Sequence, residues 1–436
     1  MKYVTTVLIA LLSLATQAQN YLTMPDLDLS VVKDNEPAAA PAAPTATPLN
    51  NSVVREDSTS WVGRLQLTLD SLCRDTLFES TQLGLCVYDL TDNRPLYAVN
   101  SHHRLRPASC QKLVTSITAL HTLSAEYQFK TQCCIKGTVS DRTLTGNVYV
   151  VGGMDPMLTD SDIMMMAAML KSEGIDSIAG KLCADLSRKD DLPLGQGWCW
   201  DDDYGPLSSL MLNGTAKDAD SLLSERFQAA GIRMADKKVA YEVCPPDART
   251  VRQITHPLKD MIGTMLKESD NILAECLFYQ LAFQSAKKGA GRKEAALCVK
   301  QLLDQLHIPP YSYQVADGSG LSFYNFVTAS MLVELLNYAY RRPNIYLTLF
   351  SSLPVAGVDG TLKKRMKKTA AERMVYAKTG TITGTSSLSG YAKGGNGHIL
   401  SFSIINQGVR RSADGQRFQD SVCEALCKQQ SISINY

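Results

Sequence analysis

Ser109 and Lys112 stand three residues apart in Arg106-Pro107-Ala108-Ser109-Cys110-Gln111-Lys112, ahead of the apolar run Leu113, Val114, Ile117, Leu120. A serine hydroxyl becomes a useful nucleophile only when something takes its proton, and a lysine can take it only while neutral. Residues three apart on a helix share a face, so the spacing predicts both groups in one cleft. Burial and a nearby cation each lower a lysine's pKa, so the pair needs another positive group close by. Further along stand Ser269-Asp270-Asn271, with a second hydroxyl and an amide, and Lys378-Thr379-Gly380, with a second amine. S-x-x-K alone is a weak signal, whose bland reading is a solvated helix start; three such stretches in this order carry far more.

Pro107 and Ala108 sit where a helix would begin, and the spacing after them predicts a buried helix with Ser109 and Lys112 in its first turn. Helical spacing also runs from Trp61 to Thr76, and Leu83 to Leu90 and Leu96 to Val99 read as strands. From about Lys130 to Pro245 the texture changes to short strands and turns, as in an inserted domain. Helices return over Pro257 to Leu266 and Ile272 to Phe283, with Ser269-Asp270-Asn271 in the turn between them. Met374 to Thr381 and His398 to Asn406 read as strands, and Arg417 to Lys428 as a closing helix. Strands from both chain ends can then share one antiparallel sheet. A helical lobe holding Ser109 and Asn271 would face a strand edge holding Lys378.

The first 19 residues read as a secretory leader: Lys2, an apolar core from Val7 to Leu14, then Thr16-Gln17-Ala18 as a cleavage site. No other stretch has the roughly 18 apolar residues that a membrane span needs, so the mature chain is expected outside the cytoplasm, in the periplasm or cell envelope. Residues 20–57 include a Pro/Ala-rich run and are expected to be a disordered tether. The remainder exceeds what one core usually holds. The expected division is a catalytic domain over 58–129 and 249–436, interrupted by an insert over 130–248. Lys+Arg number 44 against 43 Asp+Glu, a net charge of +1 that argues against a nucleic-acid surface. The 12 cysteines are scattered without C-x-x-C and read mostly as buried thiols, and the 6 histidines show no metal-ligand spacing. Neither metal nor cofactor is expected.

With these motifs the chain resembles the D-alanyl-D-alanine carboxypeptidase/endopeptidase family, the low-molecular-mass class C penicillin-binding proteins, from about Trp61 onward. Besides the three motifs, the resemblance rests on Gly146-Asn147-Val148-Tyr149 to Asp155-Pro156, Gly197-Trp198 to Asp202, and Met265 to Asn271. It extends to Asp317-Gly318-Ser319-Gly320-Leu321-Ser322, Leu353-Pro354-Val355-Ala356-Gly357 with Asp359-Gly360-Thr361, and Lys378 to Thr381. It implies an α+β fold: a transpeptidase/β-lactamase-like domain, with an antiparallel sheet flanked by helices and a helical lobe, interrupted by a β-rich insert. The family usually nests a second insert inside the first. Here Leu212-Asn213-Gly214 runs almost directly into Ala219 to Gly231, so that inner domain is expected to be missing.

The resemblance also implies roles. Ser109 would attack the penultimate D-alanine carbonyl of a peptidoglycan stem peptide, Lys112 would take its proton, and Ser269 would relay it to the leaving amine while Asn271 orients the substrate. Lys378, Thr379, Gly380 and Thr381 would hold the terminal carboxylate, the N–H groups of Ser109 and Thr381 would form the oxyanion hole, and Lys378 would keep Lys112 partly neutral. β-Lactams would acylate Ser109. Asp202 matches an acid that meets the substrate's diamino-acid amine, whereas Phe323 stands where the family often has a carboxylate-binding arginine. Carboxypeptidase and endopeptidase activities remain equally open. A β-lactamase would need a deacylating base, and Met211-Leu212-Asn213 lacks the glutamate of E-x-x-L-N. A catalytically silent penicillin-binding scaffold or sensor is the non-enzyme alternative.

Overall fold

The computed structural model describes residues 53–199, 202, 205–284 and 288–429, so the expected leader and nearly all of the expected tether lie outside the described residues. In chain order, α1 (Trp61–Leu72), β1 (Gln82–Asp89), β2 (Arg94–Val99) and α2 (Gln111–Leu123) lead into β3 (Gln128–Ser140) and β4 (Thr143–Val151). Next come α3 (Asp160–Ser172), β5 (Ser177–Ile178), β6 (Leu182–Asp185), α4 (Ala219–Ala229), β7 (Arg233–Met234), β8 (Ala240–Tyr241) and β9 (Arg249–Pro257). The chain closes with α5 (Leu258–Glu268), α6 (Asn271–Ala282), α7 (Arg292–Gln305), α8 (Ala329–Tyr340), α9 (Pro343–Ser352), β10 (Val375–Ile382), β11 (Thr385–Lys393), β12 (Ile399–Gln407) and α10 (Ser412–Cys427).

The first sheet has the order β10-β11-β12-β1-β2, antiparallel throughout, so strands from the two halves of the chain do meet. β1 is buried on both faces. Leu85 and Val87 pack with Val62, Leu65 and Leu69 of α1 and Phe418, Val422 and Leu426 of α10. Cys86 and Tyr88 turn the other way, into the helical lobe with Leu113, Val114 and Ile117 of α2. Two covered faces explain why this strand reads as an unbroken apolar run rather than an alternation.

A second sheet runs β7-β5-β4-β3-β9, with β6 and β8 alongside β4. β3 pairs antiparallel with β4 and β9, while β5 and β6 lie parallel to β4, so a parallel portion stands beside an antiparallel one. Ile163, Met166 and Leu170 of α3 and Leu223 and Phe227 of α4 cover one face. The expectation of short strands alone needs correction, because β3 is 13 residues long and α3 is a helix of equal length. The sequence does carry that helix's start signal. Thr159 and Asp162 form a reciprocal capping box, which satisfies two backbone donors at once. Leu212 and Thr215 bridge a tight turn that leads to α4, with no other element between turn and helix among the described residues.

Two helix boundaries also differ from expectation. α10 begins at Ser412 rather than Arg417. Ser109 lies in a 3-10 turn, Ala108–Cys110, and the α-helix proper starts at Gln111.

Candidate active site

The turn carrying Ser109 is strained and clamped. Ala108 adopts φ 47°, left-handed for a residue with a Cβ, and Gly320 packs so tightly on it that a Cβ there would lie 1.8 Å from the Ala108 carbonyl oxygen. Gly320 has φ 83°, which independently favours glycine. One helical step on, the fully buried Lys112 donates from Nζ to Ser109 Oγ at 3.0 Å, Asn271 Oδ1 at 2.6 Å and the Ser319 carbonyl at 2.9 Å. An ammonium has three N–H donors, and three acceptors stand around it.

Ser269, Asp270 and Asn271 occupy the junction between α5 and α6, each with its own backbone task. Ser269 closes α5 in the left-handed conformation, φ 61°. Asp270 caps α6 by accepting the Leu273 N–H at 2.9 Å, and Asn271 opens that helix facing Lys112. Across the cleft, Lys378 Nζ donates to Ser269 Oγ at 2.8 Å and to the Thr379 carbonyl at 2.7 Å. The site therefore holds two lysine–hydroxyl pairs, Lys112 with Ser109 and Lys378 with Ser269.

β10 is an edge strand. Its Ala377 N–H goes outward to the Pro354 carbonyl at 3.0 Å, and alternation along the strand turns the Thr379 and Thr381 N–H groups to that same open edge. A Cβ at Gly380 would sit 2.2 Å from Ser387 Oγ, 2.7 Å from the Pro107 carbonyl oxygen and 3.0 Å from Ser109 N, so the strand and the Ser109 turn are in direct contact. Ser387 Oγ donates to the Pro107 carbonyl at 2.6 Å, and the buried Cys110 thiol donates to the Lys378 carbonyl at 3.2 Å, fastening turn to strand. Thr379 Oγ1 donates to Thr361 Oγ1 at 2.7 Å, which brings the Asp359-Gly360-Thr361 stretch to the cleft. Asp359 in turn accepts from Lys267 Nζ at 2.6 Å, tying that loop to the end of α5.

Both lysines are depressed. Burial brings Lys112 down to about 8, against the pull of Asp317, Glu275 and Asp270, which favour its charged form. Lys378 lies well below the ordinary lysine value, first through burial and then through repulsion from Lys112. The expectation that Lys378 is what keeps Lys112 neutral therefore needs correction. Removal from water is what lowers Lys112, and the repulsion between the two amines lowers Lys378 instead.

Asp202 does not join this cluster. Its Oδ2 accepts the Cys199 N–H at 2.7 Å within its own turn. That turn is nonetheless tied to the cleft, because the Trp198 indole donates to Asp317 Oδ2 at 3.0 Å. Phe323 and Phe326 flank the guanidinium of Arg106, whose Cζ lies 5.3 and 5.6 Å from the two ring centres, and Arg106 Nε donates to the Phe323 carbonyl at 3.0 Å. A cation from the segment before Ser109 thus stands beside the position where an arginine was missing. The sequence places Gly318-Ser319-Gly320 as a turn beside the cleft but assigns no role to Asp317, to the Ser319 carbonyl or to Glu275. Glu275 had a visible signal: it is the only charged residue in the otherwise apolar α6, one turn after Asn271.

Known proteins resemble this chain over most of its length. A D-alanyl-D-alanine carboxypeptidase of Actinomadura sp. (strain R39) is 28% identical over 90% of this chain and 87% of its own. D-alanyl-D-alanine carboxypeptidase DacB of Haemophilus influenzae is 24% identical over 74% of this chain and 85% of its own. The crystal structure of penicillin binding protein 4 (dacB) from Haemophilus influenzae, 23% identical, shares the fold with a TM-score of 0.73 over 84% of this chain and 98% of that one. The signature of the D-Ala-D-Ala carboxypeptidase 3 (S13) family matches residues 65–214 and 206–429, the two stretches overlapping at the tight turn before α4, and the chain belongs to that family.

Proposed function

We propose that the protein is a serine-type D,D-peptidase that cleaves peptidoglycan stem peptides after the penultimate D-alanine, through an acyl-enzyme on Ser109. The observation that carries this reading is Lys112 Nζ at 3.0 Å from Ser109 Oγ, in a buried site where the amine is depressed to about 8. Neutral Lys112 takes the hydroxyl proton as Ser109 attacks, and the resulting ammonium finds acceptors at Asn271 Oδ1 and the Ser319 carbonyl. The N–H groups of Ser109 and Thr381 receive the developing oxyanion; such donors contribute a few kcal/mol each. Ser269, held by Lys378, relays that proton to the leaving amine, giving up its own hydroxyl proton as it receives the one taken from Ser109, so Lys112 returns to neutral; the leaving group is D-alanine in carboxypeptidation and a crosslinked stem in endopeptidation.

Lys378, Thr379 and Thr381 meet the terminal carboxylate, whose arrival favours the charged form of Lys378. Water entering after the leaving group frees the acyl-enzyme. Arg106 supplies the contact to a carboxylate on the diamino acid, and Asp202 reads its free amine. A wall substrate suits export to the periplasm, in keeping with the leader read over residues 1–19. Penicillins would acylate the same oxygen; that a β-lactam binds in this fold is supported by a solved complex of the Haemophilus influenzae protein with one.

The test is Ser109→Ala. It should abolish both release of D-alanine from a D-Ala-D-Ala peptide and covalent labelling by a fluorescent penicillin. Labelling that survives the substitution removes Ser109 as the nucleophile. Products from crosslinked and uncrosslinked muropeptides, identified by mass, assign the preferred leaving group.

A further inference from the structure

Glu275 is a fully buried carboxylate on α6, one turn after Asn271, and it makes no ion pair among the described residues. Its Oε1 accepts the N–H groups of Gly318 at 3.0 Å and Ser319 at 2.8 Å, and its Oε2 accepts the same Gly318 N–H at 3.2 Å. The Ser319 carbonyl, the far end of that short loop, is an acceptor for Lys112 Nζ at 2.9 Å. Asn271, on the same helix face, supplies another acceptor to the same amine. α6 thus reaches Lys112 twice: directly through Asn271, and through the 318–319 backbone that Glu275 holds. The loop has little freedom otherwise. A Cβ at Gly318 would lie 2.5 Å from Phe278 Cβ, and Gly320 abuts Ala108.

We propose that Glu275 is a positioning residue for Lys112: it anchors the 318–319 backbone so that the Ser319 carbonyl receives the ammonium formed when Ser109 gives up its proton. The inference rests on the reading of Ser109 and Lys112 given above. A second consequence is electrostatic. The titratable groups facing Lys112 are Glu275 and Asp270 from α6 and its junction, Asp317 from the loop, the Cys110 thiol from its own turn, and Lys378 from β10. Burial and Asp317 push Glu275 itself up to about 8, so its charge and that of Lys112 change over the same pH range. A negative Glu275 favours charged Lys112. Removing that charge can therefore only help Lys112 lose its proton.

The test follows penicillin acylation from pH 6 to 10 in the full chain, for the parent, Glu275→Gln and Glu275→Leu, with thermal unfolding measured alongside. Glutamine keeps an oxygen that can accept the two N–H groups but loses the charge. Its plateau rate should stay within about threefold of the parent, while the plateau is reached at lower pH: the rate at pH 8 relative to the plateau rises toward about twofold, whereas near pH 6.5, where the parent's Glu275 is itself uncharged, the two converge. Leucine keeps no acceptor and should lower the plateau on the order of tenfold or more. A glutamine variant whose acid limb is unmoved or shifts upward overturns the proposal, as does a folded leucine variant with the parent's plateau. If the leucine variant does not fold, the glutamine profile alone decides. Ser109→Ala in parallel keeps the outcomes apart, since labelling that persists there refutes the reading of the site, whatever Glu275 does.

Discussion

At the scale of single residues, the two lysines are alike in burial and differ in what surrounds them. Lys112 has three acceptors and three carboxylates that favour its charge; Lys378 has a hydroxyl, a carbonyl and a neighbouring amine. In the proposed mechanism Lys112 acts while neutral, so acylation should rise with pH and level off above about 8, as read from a stopped-flow profile with a fluorescent penicillin. Lys378→Ala takes away the partner of Ser269 and a repulsive neighbour of Lys112. Peptide hydrolysis at neutral pH should fall on the order of a hundredfold. Burial sets the pKa of Lys112 and the repulsion falls on Lys378, so the acid limb should hardly move; a clear upward move would show that Lys378 helps hold Lys112 neutral. Away from the cleft, Glu334 is held up to about 7 by burial and has no ion pair among the described residues. A carboxyl raised in the folded state lends stability that is complete below its ordinary value of 4.5 and lost as pH rises through about 7. Glu334→Gln should accordingly match the parent at pH 4 and be more stable at pH 8 by on the order of 2 kcal/mol, seen as a higher Tm.

At the scale of elements, the site is made where a strand edge touches a helical turn, and glycine makes the touch possible. Gly380→Ala places a methyl 2.2 Å from Ser387 Oγ and 3.0 Å from Ser109 N, which must part β10 from the turn. Penicillin labelling should drop at least a hundredfold while far-UV circular dichroism stays native-like; unchanged labelling would show that the contact tolerates separation. Much of this junction was legible in the sequence. Ser109 with Lys112, the Ser269 turn and the Lys378 strand are local signals, because cap chemistry and apolar spacing act over a few residues. What was illegible depends on distant contacts. The 3-10 turn at Ser109 is packed against Gly320, more than two hundred positions along the chain, and no local pattern encodes that contact. Glu275 and Ser319 matter only through each other. α3 carries its start signal in the capping box of Thr159 and Asp162, but its Met-rich run stands among strands and its helical register shows only in the fold.

At the scale of the whole molecule, the segment between β6 and α4 joins the second sheet to the cleft through Trp198 and Asp317. Asp202 belongs to that segment, and asparagine can still accept the Cys199 N–H that its carboxylate holds. Asp202→Asn should therefore preserve the turn and remove only charge. Hydrolysis of a stem peptide with a free diamino-acid amine should slow roughly ten- to a hundredfold in kcat/KM, while the same peptide acetylated at that amine is almost unaffected. Equal slowing of both peptides would take Asp202 out of substrate reading.

The pairing of β1 with β12 has a bearing on timing. Gln82 and Gln407 face each other across the sheet although 325 residues separate them along the chain, and β10, which carries Lys378, joins β1 only through β11 and β12. Closing so long a loop is slow relative to forming the local helices. A nascent chain that has released Ser109, Lys112, Ser269 and even Lys378 from the ribosome still lacks the strand that ties the sheet's two halves together. The sheet that carries Lys378 is therefore complete only once β12 has taken its place between β11 and β1.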